Sequence, residues 1–80
     1  MEKNEIINKA NEAMAEEFEV ELTDITPDTP IKDTLNIDSL GLVDLVALIE
    51  SVFHVKIQNT EIASIKTFQN LYDYIELKAA

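Results

Sequence analysis

The sequence has no cysteine, which removes both a disulfide framework and a cysteine-based metal site. It also lacks any apolar run approaching the roughly 20 residues of a membrane-spanning helix, so no membrane insertion is expected. Basic residues are scarce, six against sixteen acids, and the net charge is −10. That deficit argues against a nucleic-acid partner, whose phosphates call for positive side chains. The first twenty residues carry Glu2, Glu5, Glu12, Glu16, Glu17 and Glu19, which no secretory signal tolerates, and a cytoplasmic location follows as the expectation. Internal repeats, low-complexity tracts and linkers are missing. So is the D-x-[DN]-x-[DN]-G calcium loop that a small acidic helical sensor would carry, and no metal ligands are assigned.

What is present is a chain of 80 residues, 46% apolar, enough for one domain over residues 1–80 with one modest core. Its acidity steers it toward basic patches on other proteins, and it is expected to be a monomer. The run "EEFEVE" at residues 16–21 reads as solvated charge. Ile7, Ala10, Met14 and Phe18 follow a helical period and predict a first helix over residues 3–18. Residues 19–38 hold both prolines, Pro27 and Pro30, and show no such period; Val20, Leu22, Ile25, Ile31, Leu35 and Ile37 are expected to pin this long connection to the core.

A central helix is predicted from Ser39 to Phe53 with Asp38 as its N-cap. Asn59 is expected to cap a short helix reaching Ile65. Thr67 is expected to cap a last helix, on which Phe68, Leu71, Tyr72 and Ile75 form the apolar stripe. Tyr72 and Tyr74, two apart, should face different ways, one into the core and one to the surface. The fold class expected is all-α: a small bundle of three main helices plus a short fourth, with a long loop between the first and second helices.

The central stretch, "LNIDSLGLVDLVALIE", has more apolar residues than one core face needs. At 100° per residue, Leu42, Leu45, Val46, Leu48, Ile49, Val52 and Phe53 fall on one broad arc. Leu40, Val43 and Ala47 are left on the far side, flanked by Asp44 and Glu50 and headed by Ser39. For any one of them exposure is unremarkable, but three in line suggest a docking strip whose acids orient a basic partner. Ser39 itself reads as a second capping hydroxyl, a nucleophile or an attachment point. A nucleophile needs a base, and the single histidine, His54, lies about 22 Å along the same helix; no G-x-S-x-G elbow is present either. No catalytic residue is therefore assigned. His54 reads as a solvent-exposed residue near the helix C-terminus.

The stretch "LNIDSLGLVDLVALIESVFHVKI", with "IKDTL" before it and "IKTFQNLYDYI" after it, resembles the acyl carrier proteins over nearly the whole chain. The signature Asp-Ser-Leu stands here as Asp38, Ser39 and Leu40, accompanied by Asp44 and Phe53. The resemblance implies a non-catalytic carrier on which Ser39 bears 4′-phosphopantetheine, added by a phosphopantetheinyl transferase, with its thiol carrying acyl groups as thioesters. It further implies acyl-loading, condensing and transferring enzymes with basic patches that meet Asp44 and Glu50, while Leu40, Val43 and Ala47 make apolar contact. Four positions depart from the pattern of housekeeping fatty-acid carriers: Asn36 stands where glycine is frequent, Gly41 where an acid is frequent, and Ser51 and Val52 thin the charge further. These point to a specialised carrier, of polyketide or unusual lipid biosynthesis, over a housekeeping one. An aminoacyl carrier of D-alanyl or peptidyl type and a noncovalent acidic adaptor stay open as alternatives.

Overall fold

Helix α1 spans Lys3–Phe18, as its apolar period requires. The computed structural model describes residues 2–79, with the side chains of Ser39 and Asn59 outside the described set. Ile6, Ala10 and Met14, each four apart, are fully buried, whereas Ile7 and Phe18 lie at the edge of the core. The expected stripe holds at Ala10 and Met14 and is widened by Ile6 on its other flank, because α1 faces both α3 and α5. Glu19 ends the helix in the left-handed region at φ 55°, and Val20 N–H donates back to the Ala15 carbonyl at 3.1 Å. This is the Schellman closure with a glutamate where glycine is usual.

The long connection is more ordered than its sequence suggests. It contains a 3-10 turn, Leu22–Asp24, and a five-residue helix α2, Ile31–Leu35. Five residues are too few to display a helical period, so α2 is invisible to periodicity. Ile25, Ile31 and Leu35 are buried, and Val20 and Ile37 pack at the core's edge. Leu22 departs from expectation: it is 52% exposed, since it opens the 3-10 turn and no helix covers it. Backbone bonds hold the segment at its far end. Ile31 N–H donates to the Lys66 carbonyl at 2.9 Å, and Gln69 N–H to that of Pro27 at 3.0 Å.

Helices α3 (Ser39–Phe53), α4 (Asn59–Ile62) and α5 (Phe68–Ala79) complete the chain. The bundle has the expected form, three main helices with short ones between them. The short α4 is capped one residue earlier than expected, at Gln58, and Asn59 is its first helical residue. It also stops before Ile65: Ser64 and Ile65 donate to carbonyls three residues back, at 3.1 and 3.0 Å, so the tail tightens into turns. Thr67 does cap α5. Its hydroxyl accepts from Asn70 N–H at 3.3 Å, while Asn70 Oδ1 accepts from the N–H groups of Lys66 and Thr67, both at 3.2 Å. This is a capping box closed by asparagine in place of glutamate.

α5 is the most enclosed element. Phe68, Leu71, Tyr72 and Ile75 are fully buried and Tyr74 is nearly so, against the expectation that one tyrosine would face solvent. The extended segment after α3 covers the second side of α5: Val55 and Ile57 are buried there, and Tyr74 Oη donates to the Lys56 carbonyl at 3.4 Å. Tyr72 Oη donates to Asn11 Oδ1, and burial, only partly opposed by that bond, pushes its phenol above the usual range. Lys3 clamps α1 to α5 by bonds to Asp73 and, at 3.3 Å, Glu76. The Lys3 bond, helped by one from Gln69, holds the Asp73 carboxyl below its ordinary range, and the bond to Asp73 raises Lys3.

Candidate functional site

The site is assembled by the turn from α2 into α3. Asn36 ends α2 in the left-handed region at φ 56°, a conformation asparagine tolerates better than most residues. Ile37 N–H donates to the Lys32 carbonyl at 3.0 Å, which fixes the exit of the turn. Asp38 is extended, and its Oδ1 accepts from Leu40 N–H at 3.0 Å and Gly41 N–H at 3.1 Å. Its carbonyl accepts from Leu42 N–H at 3.2 Å, the first helical bond. Asp38 is therefore the N-cap the sequence indicated, and residue 39 is held as the first residue of α3. The orientation of the Ser39 side chain itself lies outside the described residues.

Gly41 acquires a steric explanation that charge counting missed. A β-carbon placed there would lie 2.5 Å from Ile37 Cβ and 2.9 Å from its Cγ2. The bare α-carbon is what lets the turn fold back onto the helix.

The remaining predicted residues divide as the helical wheel implies. Leu45, Ile49 and Phe53 are buried, and Leu42, Val46, Leu48 and Val52 pack beside them. Leu40 is 79% exposed and Val43 62%, with Asp44, Ala47 and Glu50 exposed alongside. His54 is exposed at the far end, capping α3 in the left-handed region at φ 58°, and takes no part in the site. No group of three or more His, Asp or Glu side chains placed to hold a metal ion is found among the described residues.

One feature was not legible from sequence. Leu42, one turn beyond residue 39, forms part of a groove of about 400 Å³ shared with Pro30, Lys32, Ile62 and Ile65. Beneath it, Leu42, Leu45, Ile57, Ile62 and Leu71 close on a void of only about 10 Å³. The lining comes from α2, α3 and the α4 region, so no local pattern could reveal it. With Lys32, Asp33 and Lys66 beside its apolar wall, the groove can hold a flexible arm of mixed polarity at the surface beside the start of α3, and the interior below is nearly filled. A covalently anchored group fits these residues: an extended turn rigidified by Asp38, with a groove starting one helical turn away.

No helix among the described residues is long and apolar enough to cross a membrane. Residues 9–75 match the phosphopantetheine attachment site family. The acyl carrier protein of Thermotoga maritima is 36% identical over 76 residues, 95% of this chain and 94% of its own length. That of Petrotoga mobilis is 36% identical over 78 residues, covering 98% and 92%, and that of Thermosynechococcus vestitus 32% over 80 residues, covering 100% and 99%. With its helical bundle and the Asp38-capped turn in place, the chain belongs to the acyl carrier protein family, non-catalytic carriers whose cofactor is covalently attached 4′-phosphopantetheine.

Proposed function

We propose that residues 1–80 form a single carrier domain in which Ser39 receives the phosphopantetheine arm. The observation that carries this reading is the cap: Asp38 bonds two backbone N–H groups and holds residue 39 at the first helical position, beside the exposed Leu40. The arm supplies a thiol, which a chain without cysteine does not otherwise possess, and acyl groups ride on it as thioesters. Asp38 rigidifies the attachment turn, and the positive end of the α3 dipole favours the phosphate diester there. Leu42, Ile62 and Ile65 give the arm an apolar wall to lie against.

The strip of Leu40, Val43 and Ala47 with Asp44 and Glu50 is the face that meets the transferase and then the acyl-loading, condensing and transferring enzymes. Each contact is small and short-lived, because a carrier must leave every partner. The monomer works in the cytoplasm. Gly41 and Ser51 leave fewer acids beside this face, and with Val52 on the core side of the helix they favour a dedicated polyketide or unusual-lipid pathway over housekeeping fatty-acid synthesis.

The test incubates the purified protein with coenzyme A, Mg²⁺ and a broad-specificity phosphopantetheinyl transferase, followed by intact mass and peptide mapping. One phosphopantetheine is expected on Ser39, and none on a Ser39→Ala variant that keeps its helical circular dichroism. Loading of that variant at another residue would refute the assignment. So would an unmodified wild type beside a modified control carrier, and partner binding retained by Ser39→Ala would then favour a noncovalent adaptor.

A further inference from the structure

In a chain with a net charge of −10, the first turn of α3 contains no acidic residue after its cap. Only Asp44 and Glu50 are acidic along the whole helix, both beyond that turn. The structure gives a mechanical reason for the gap. A side chain at position 41 would start 2.5 Å from Ile37 Cβ, closer than real β-carbons approach. Neither wall can retreat easily. Ile37 is β-branched, packs against the core and is tied through its N–H to Lys32. Gly41 is tied through its N–H to Asp38. Glycine is among the poorest helix formers, so its presence in a first turn is itself costly unless close approach demands it.

We propose that Ile37 and Gly41 form an interlocked pair that keeps the surface beside residue 39 uncharged and thereby selects the partner. The partner it fits is a protein that lays an apolar patch over Leu40 and Val43, 79% and 62% exposed, and reaches Asp44 and Glu50 with its basic side chains. A partner whose basic group must sit over the first turn finds no acid there. This inference rests on the carrier reading for the identity of the partner, but the interlock itself is independent of it.

Wild type, Ile37→Gly, which removes the β-carbon that meets position 41, Gly41→Asp and the double variant test the proposal by two measurements. The first is Tm. Gly41→Asp should lower it by roughly 5 °C or more through overpacking, while the double variant should be clearly more stable than the sum of the single losses. The second is kcat/KM for phosphopantetheinyl transfer by a transferase with a basic docking surface, measured across ionic strength. The double variant should exceed Ile37→Gly by about threefold at low salt and show the steeper salt dependence, since a new acid then faces the enzyme.

Additive Tm losses would overturn the interlock. Coupled Tm losses with a salt dependence identical to that of Ile37→Gly would overturn the selection of partner by the uncharged turn. If wild type accepts no phosphopantetheine while a control carrier does, the carrier reading fails and the partner assignment with it, whereas the Tm coupling still decides the interlock.

Discussion

α3 and α5 are both apolar helices, of 15 and 12 residues, yet they place their side chains in opposite ways. α5 turns Phe68, Leu71, Tyr72, Tyr74 and Ile75 into the interior, enclosed by α1 on one side and by the segment around Val55 and Ile57 on the other. Among its large apolar residues only Leu77, near the end, is left outside. α3 buries three residues along one line, Leu45, Ile49 and Phe53, and holds Leu40 and Val43 in solvent. The difference shows that apolar content does not measure core content. In α5 the excess over one face is taken up by a second layer of packing. In α3 nothing in the fold covers it, so it is available to something else.

Three substitutions sharpen or break this contrast. Phe68→Ala, in the fully buried start of α5, should cost about 3–5 kcal/mol by chemical denaturation. A loss below about 1 kcal/mol would mean that α5 is not the packing centre. Val43→Asp should act on the other quantity: Tm within about 2 °C of wild type, because the site is exposed, but kcat/KM for the transferase down by roughly tenfold. Unchanged transfer would remove the α3 strip from consideration as a docking face.

The smallest effect is expected at the α1–α5 clamp. Asp73 is held below its ordinary range in the folded protein by Lys3 and Gln69, so its contribution is present at neutral pH, above the unfolded carboxyl's range. It is lost as pH falls through the lowered folded value. Asp73→Asn should therefore slightly lower Tm at neutral pH and close the gap to wild type in acid, the smallness following from the exposure of the pair. A difference between the two proteins that is the same at neutral and acid pH would refute the clamp as a source of stability.

Much of this was legible in the sequence where the physics is local. The Asp38 cap, the Thr67 cap and the limits of α1 and α3 depend on bonds spanning two to five residues, and each appears where the residue types place it. Assignments that failed depend on what lies opposite. Ile6 joined the core beside the expected stripe because α1 has two neighbours, Tyr74 went inside because the chain after α3 doubles back over it, and Leu22 stayed outside because nothing reaches it.

The candidate site divides along the same line. Sequence alone determined that a serine stands at the head of a helix, followed by more apolar residues than one face can bury, since the helical period is a property of the backbone. Tertiary structure decided that Leu40 and Val43 remain uncovered and that Leu42 joins Ile62 and Ile65 in a groove. It also decided that Gly41 is bare because Ile37 leans on it. Burial, grooves and close contacts are relations between segments, and only packing brings those segments together.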